Sequence, residues 1–529
     1  MKLPNWRLSD LSNKSGFMRC AQLLAILLLA PYAYAAPPTP SFSMLGYLEA
    51  LDVNLTTPND PLSDGSMVVN GVRVILPKNL LIKMPGQYLT VQDLFRGPHP
   101  GLVPTLAPVL AQSGLALKDT TKPVVPFEVE VIGNMVGNNY VAGWVSISQQ
   151  GLNVGAGFIR KIDYAKGELL VGATTASATA RVRINDAVGR YGKKNADKTN
   201  GVAFDERFAT DAGNAPVASA TGFPMCIPRV DPAIGDDVDC PKGNRAPAPN
   251  NGRFTCGPST ADPTAPIHPS CKPDKAAPLQ VGDYINYSGM MTEDSSGSGT
   301  FFHSAHAIGA MTGIYTSPGI DPAYVFIEEA ILGSLGAPYP EPPPGTGFIP
   351  QEATSRFRIV GFTTDPSRQV EVFLIDVNGT TETERRLTTL LPQRLGQIGR
   401  FRVTLSSKAN FLPLTRDVRV RIKDHVSVKV VRRLDEASNP IAGLDSGQYT
   451  APVGEYIYPE NTLFGKPLSP VSVPFENFCF LRNGGGLLGT LGRDTLPDAS
   501  RLQIGKLTPF PDSGHLNPQP RTNGAPACP

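Results

Sequence analysis

The chain has 529 residues, of which only 18% are charged, with 52 glycines, 52 prolines and a formal net charge of +2. Average domains carry ~25% charged residues, with roughly 7% Gly and 5% Pro, so this composition disfavours long helices and favours many short strands joined by turns. A net charge this small leaves no field to gather phosphate backbones or anionic lipid, so nucleic acid is not an expected partner.

Residues 1–35 read as a secretory signal peptide. Lys2, Arg7, Lys14 and Arg19 precede the apolar run Ala21–Ala30, and Ala33-Tyr34-Ala35 places small residues at the two positions that matter for a cut after Ala35. The run is shorter than the ~20 residues a bilayer crossing needs, and Pro31 interrupts it. The leader holds four basic residues and one acidic residue, so its removal turns +2 into about −1. No later segment is apolar and long enough to span a membrane, and the expected location is secreted or periplasmic. Cys20 leaves with the leader. The remaining six, Cys226, Cys240, Cys256, Cys271, Cys479 and Cys528, form the even count of a disulfide framework in an exported chain.

Residues 36–199 read as a β-barrel region of one or two modules. Met67–Pro77 is β-branched, with a tight turn at Asn70-Gly71. In Val124–Ile147, Phe127, Val129 and Val131 alternate with Glu128 and Glu130, the period of a half-buried strand. Gly133, an Asn/Gly turn and a second strand follow. Gly155–Ala173 is a further hairpin with Lys166-Gly167 at its tip, and Thr179–Asp186 is another strand. The strand, glycine, turn, strand outline returns at Gly282–Ile308 around Gly289 and at Ser355–Val377 around Gly361. Each glycine is read as a bulge or sharp bend.

Residues 200–278 change character. They are rich in Pro, Gly, Asn and Asp, without periodicity, and contain four cysteines spaced C-x13-C-x15-C-x14-C. Zinc sites take ligand pairs two to four residues apart, and redox pairs take C-x-x-C; neither is present. Disulfides close loops of this size, and one of ~15 residues is worth roughly 3 kcal/mol in the chain-entropy model. Local pairing, Cys226 with Cys240 and Cys256 with Cys271, comes first among the three connectivities, and Cys479 with Cys528 would tie the tail. The segment is expected to be a stapled surface insertion. Its acidic residues Asp231, Asp236, Asp237 and Asp239 make calcium the one cofactor to consider, although no Asp-x-Asp-x-Asp-Gly loop is present.

Residues 279–345 read as a barrel-like module, ending in a strand or short helix at FIEEAILGSLG. Residues 354–433 read as a β-sandwich whose strands FRIVGF, QVEVFLIDV, GRFRVTL and DVRVRI are spaced by turns. Residues 434–529 form a loop-rich tail expected to pack back on the sheets.

Catalytic signatures are lacking: G-x-S-x-G, H-E-x-x-H and phosphate-cradling Gly-Lys-Ser/Thr loops are absent, as is a dinucleotide G-x-G-x-x-G that follows a strand; GGGLLG at Gly484–Gly489 lies in the irregular, loop-rich tail. His303 and His306 lie three apart on a predicted strand, where they face opposite ways. The adjacent Glu328 and Glu329 cannot form a local acid–base pair for the same reason. Tyr140, Trp144, Phe301, Phe302 and Tyr315 are candidate ligand contacts, with core packing as the competing role.

The strand-Gly-turn-strand segments resemble the small OB-like β-barrel domains of uncharacterised exported bacterial proteins. SRFRIVGFTTDPSRQVEVFLIDVNG resembles bacterial immunoglobulin-like modules, and TARVRINDAVGRYG, GDYINYSG and IYTSPGIDPAYVFIEE resemble segments of uncharacterised secreted proteins. The resemblance implies export and a mainly β architecture of barrels plus an immunoglobulin-like sandwich, and it carries over no catalytic residue. The expectation is a non-enzymatic exported protein that binds a glycan or protein partner at the cell surface, in the periplasm or in a matrix. A secreted polysaccharide hydrolase or lyase, with carboxylates brought together from distant segments, is the alternative. A subunit of a surface assembly is the third.

Overall fold

The computed structural model describes residues 40–452, apart from 56–62, 79, 87, 98–108, 175–179, 187–188, 194–204, 210–212, 261, 296, 336–353, 379–380, 407–416, 431–432, 435–439 and 442–443. The leader, the tail beyond Pro452 and the pair Cys479 and Cys528 lie outside the described residues.

The first barrel is built from β1 (Ser41–Val53), β2 (Gly65–Val69), β3 (Val72–Leu76), β4 (Leu81–Lys83), β5 (Tyr88–Thr90), the one-turn helix α1 (Val91–Leu94), β6 (Glu128–Val136) and β7 (Asn139–Ser148). The order β3-β2-β1-β6-β7 closes through a parallel β3–β7 ladder, Val74 against Tyr140 and Ile75 against Val141. Asn70 and Gly71, both at positive φ, make the β2–β3 turn that the Asn-Gly pair predicts. β4 extends the sheet alongside β7, and Thr90 caps α1 in a capping box with Asp93.

The second barrel repeats that order. It uses β8 (Val154–Asp163), β9 (Glu168–Gly172) and β10 (Ala180–Ile184), and after a long excursion β16 (Tyr284–Glu293) and β17 (Phe301–Ala310). Its order is β10-β9-β8-β16-β17, closed by a parallel β10–β17 ladder. Both are the OB-like arrangement: a three-strand meander, an excursion, then a hairpin whose last strand seals against the third. Residues 154–184 and 284–310 are therefore one barrel, not parts of two separate modules. The excursion holds β11 (Val217–Ser219), β12 (Met225–Cys226), β13 (Arg253–Cys256), β14 (Ile267–His268) and β15 (Ala277–Pro278); β13 also pairs with β18 (Gly313–Thr316).

The third unit is a sandwich. One sheet is β19 (Val325–Leu335), β20 (Thr354–Thr363) and β23 (Arg400–Ser406). The other takes the order β22-β21-β24-β29, from β21 (Val370–Asn378), β22 (Thr381–Leu390), β24 (Asp417–Ile422) and β29 (Gln448–Pro452). Between β24 and β29 lie two small ladders, β25 (Lys429–Val430) with β28 (Leu444–Asp445) and β26 (Arg433–Leu434) with β27 (Pro440–Ile441). FIEEAILGSLG is thus the first strand of the sandwich rather than the end of a barrel, because its ten-residue register with β20 outweighs its sequence proximity to β18. The sandwich interior (Phe357, Ile359, Val372, Leu374, Phe401, Val420) and the first barrel's interior (Leu48, Val69, Val131, Ile147) belong to one continuous apolar cluster.

Gly133, Gly289 and Gly361 each mark a bulge. Pairing skips one residue on the opposite strand each time: Gly143 in β7, His306 in β17 and Glu328 in β19. The strands approach so closely there that a Cβ on the glycine would lie 2.1 Å from Val141 O, 2.3 Å from Ser304 O or 2.2 Å from Phe326 O, respectively. Only glycine fits, and the extra twist of a bulge helps a small sheet curl into a barrel. Gly289→Ala is expected to destabilise the protein by about 2–3 kcal/mol, the cost of forcing backbone apart in a packed sheet, read as a lowered midpoint in urea or thermal unfolding.

The excursion is not the surface loop that its composition suggests. All four of its cysteines are buried and pack with Ile184, Phe223, Met225, Phe254 and Leu279. Beside them Arg245 makes a two-pronged pair with Asp283 at 2.8 Å on each prong, and Nη1 and Nη2 also donate to Pro278 O and Asn251 O, respectively. Removing one partner strands a buried charge, so Arg245→Ala is expected to cost about 3–5 kcal/mol, measured the same way.

Candidate functional site

The second barrel shows first where a site is not. Arg181 and Arg183 on β10 meet Glu168 on β9 and Asp294 in the β16–β17 loop, all at 2.7–2.9 Å. Two cations and two anions neutralise one another, and the Arg183 guanidinium also lies 4.3 Å from the centre of the Phe302 ring. Burial raises the Asp294 carboxyl, but the two arginines outweigh it and hold the group below the usual carboxylate range. This network ties strands together.

An open cleft of about 450 Å³ lies between the first barrel and the sandwich. Its floor is the outer face of β6, β7 and β4. Alternation along β6 sends Val129 and Val131 inward and leaves Glu128 and Glu130 outward. Past the bulge at Gly143, Val145 and Ile147 point into the barrel, so Trp144, Ser146 and Ser148 take the outer side. Register places Leu45, Glu130, Ser146 and Lys83 in one row across four strands. The Lys83 ammonium sits 5.7 Å from the Trp144 ring centre, within reach of a cation–π contact. Gln150 extends the floor, and Ile327, Glu328, Ala330 and Ala451 line the opposite wall. Glu328 is the skipped residue of the β19 bulge, which turns it out of the ladder.

Three carboxylates share this cleft. Glu128 has a structural task, accepting the Gly151 N–H at 2.7 Å and so fixing the turn after β7. Glu130 and Glu328 face the cleft from opposite sides. The neighbouring Glu329 is drawn away to Arg358 at 2.8 Å. The alternation of FEVEV made the outward glutamates legible, but nothing in the sequence indicated that β19 would lie across from them.

The aromatic candidates divide by strand geometry. Trp144 lines the cleft though only 4% of it is exposed. Tyr140 is half-buried, edge-on to Phe42 at 5.0 Å. Phe301 and Phe302 are adjacent and so face opposite ways: Phe301 is exposed, whereas Phe302 is fully buried. Tyr315 is also buried, its hydroxyl donating to Ile398 O at 3.4 Å. Phe302 and Tyr315 are therefore packed in the interior, and Trp144 is as buried as Tyr315 although it borders the cleft.

The cysteines pair as their spacing predicts, Cys226 with Cys240 and Cys256 with Cys271. The acidic residues do not converge on a cation. Asp237 and Asp239 both bind Arg229, and Lys275 approaches Asp239 at 3.6 Å. Asp236 accepts the Lys242 N–H, and Asp231 accepts the Ala233 N–H. Among the described residues no group of three or more His, Cys, Asp or Glu is placed to hold a metal ion.

His306, released from the ladder by its bulge, has no hydrogen-bond partner at Nε2, and His303 has none at Nδ1. Burial depresses the imidazole of His306 to about 4. His425, bonded to Ser446 Oγ at 3.0 Å, is likewise depressed to about 4, first by burial and then by the Arg368 charge. In the unfolded chain both take up a proton near pH ~6.5, whereas in the fold they stay neutral until about 4. Protons then favour the unfolded state throughout that interval, so stability falls as pH drops from 6.5 towards 4 and is unaffected by these groups above 7. Melting temperature should decline across that window, and His306→Gln/His425→Gln should flatten the profile. No family model, no curated protein and no solved structure matches the chain.

Proposed function

We propose that the protein is an exported, non-enzymatic, multidomain β protein that binds a saccharide in the cleft between its first barrel and its sandwich. The observation that carries this reading is the cleft's polar lining: the hydroxyls of Ser146 and Ser148, the amide of Gln150 and the charged ends of Lys83, Glu130 and Glu328 around one open cavity. Fixed polar groups of this kind orient a ligand, and a sugar offers a rim of hydroxyls to match them. Three glutamates against one lysine favour neutral or amino sugars over uronates in this position. The two cystines support maturation in an oxidising compartment and hence a secreted or periplasmic location. The strand order of the sandwich, with a three-stranded sheet β19-β20-β23 facing a four-stranded sheet β22-β21-β24-β29, supports the immunoglobulin-like reading of that unit.

Glu130 and Glu328 on opposite walls also favour a second reading, a glycoside hydrolase or lyase that uses them as its carboxylate pair. Calorimetry of the mature protein against neutral and amino-sugar oligosaccharides separates the two. Binding without new reducing or unsaturated ends supports the first reading. Cleavage that Glu130→Gln or Glu328→Gln abolishes would replace it with the second. Ser146→Trp, which fills the cleft from a solvent-facing position, should weaken binding at least ten-fold; binding that ignores this change would place the site elsewhere.

A further inference from the structure

Five large apolar side chains that stay exposed meet on the outer face of the second barrel. Leu152, Val154, Val281, Tyr284 and Met311 are 39%, 59%, 57%, 41% and 66% exposed. Alternation in β16 sends Ile285 and Tyr287 into the barrel and leaves Tyr284, Asn286 and Ser288 outside. Each of these three has a neighbour on both sides. Tyr284 lies between Phe158 on β8 and Met311, whose N–H donates to Tyr284 O at 2.9 Å. Asn286 lies between Ala156 and Gly309, and Ser288 between Val154 and Ala307. Leu152 and Val281 border these rows, beside the bonds of Gly289 N to Asn153 O and of Gly282 N to Ile159 O.

The three rows differ in height. The first is a ridge, in which Phe158 meets Tyr284 edge-on at 5.1 Å and Met311 extends the line. The middle row is low. Asn286 lies over Gly309, where a Cβ would stand 2.3 Å from Asn286 Oδ1, and Ala156 adds only a methyl group. The third row sets the small residues Ser288 and Ala307 beside Val154. None of the nine residues is charged. Asp283, next to Tyr284, is buried against Arg245. Monomeric proteins seldom expose a contiguous apolar face, and such a face marks a contact with a partner.

We propose that this face packs on the same face of a second copy of the chain, about a two-fold axis that runs along the middle row. Rotation about that axis sets the ridge of one copy over the third row of the other. Tyr284 then faces Ser288, Met311 faces Ala307 and Phe158 faces Val154, each contact occurring twice, as an isologous interface requires. Large side chains opposite small ones let two facing sheets interdigitate. Asn286 meets Asn286, and a primary amide both donates and accepts, so each finds its partner in the other copy. An uncharged face meets itself without like-charge repulsion, whereas a charged partner would lose water and gain no counter-charge. Three strands ~4.8 Å apart and five residues of ~3.4 Å rise cover on the order of 250 Å². That is less than the ~800 Å² per partner of a standard interface, so the dimer is of the weak, reversible class.

This inference goes beyond the cleft reading and does not rest on it: none of these residues lines the cleft. The test is sedimentation equilibrium of the full mature protein from about 5 to about 500 μM, where a dissociation constant on the order of 50 μM is expected. Apolar association should hold or tighten in sulfate. Met311 and Val154 are 66% and 59% exposed, so Met311→Asp and Val154→Asp leave the fold intact. Each should weaken association roughly ten-fold or more, because each buries a charge that has no partner. The register sets a stricter result. Met311 of one copy faces Ala307 of the other, so mixing folded Met311→Asp and Ala307→Lys variants should restore association that neither shows alone. Leu395→Asp, at an exposed position on the sandwich, should associate as the parent does. The proposal is overturned by a monomer at every concentration, by association that sulfate abolishes, by Met311→Asp and Val154→Asp variants that associate like the parent, or by no recovery on mixing. Retention of a monomer on neutral dextran that Tyr284→Ala removes would give the face to a glycan and overturn it as well.

Discussion

The buried Arg245–Asp283 pair is the contact on which the rest of the arrangement turns. The second barrel leaves its third strand at Ile184 and returns only at Tyr284, and the described residues between have little regular structure. Irregular backbone can be buried only if its polar groups find partners. Arg245 supplies them for Pro278 and Asn251 while gripping the residue just before β16, and the Asn244 amide donates to the carbonyls of Lys272, Lys275 and Ala276. The two cystines then fix the loops that these contacts organise. Arg245 thereby anchors the excursion to the residue before β16, the strand that pairs with β8 and β17 in the closed barrel.

The same segment also holds the other units. Arg207 donates to Leu94 O and Ser113 O of the first barrel, and Phe208 stacks on Phe127 at 4.7 Å. Asn214 exchanges two hydrogen bonds with Thr450 on β29, next to the cleft residue Ala451, and the Tyr324 hydroxyl donates to Pro273 O. A segment that composition marks as a surface insertion therefore adds contacts to both units that flank the cleft, beside the apolar core that they share.

What the sequence reveals depends on the range of the interaction. The hairpins, the Asn-Gly turn, the three bulge glycines and the nearest-neighbour cystines are local, and each was legible from a few adjacent residues. Which strand closes which barrel is not local. The parallel seals β3–β7 and β10–β17 join segments separated by whole excursions, and neither Val74 nor Val182 advertises its partner. The burial of Cys226 and Cys256 went unread for a similar reason, since a proline-rich stretch without periodicity gives no sign of the apolar wall it packs against. For the cleft, the outward parity of Glu128 and Glu130 was visible, while the opposing β19 was not.

The bulges connect architecture with chemistry. A bulge frees one residue from the alternation that otherwise fixes which side it faces. At Gly143 the shift puts Trp144, Ser146 and Ser148 on the outside of the barrel; at Glu328 it turns a carboxylate out of the ladder towards them. The equivalent shift in the second barrel delivers His306 into a site with no partner for its Nε2. One glycine-dependent device thus gives the sheets the twist that barrel closure requires and selects the side chains that leave the pairing pattern. A substitution at Gly133 or Gly361 would consequently act twice, on the curl of its sheet and on the direction of a cleft residue. Loss of stability and loss of ligand affinity at those two positions should therefore be inseparable, whereas at Ser146 they should separate cleanly.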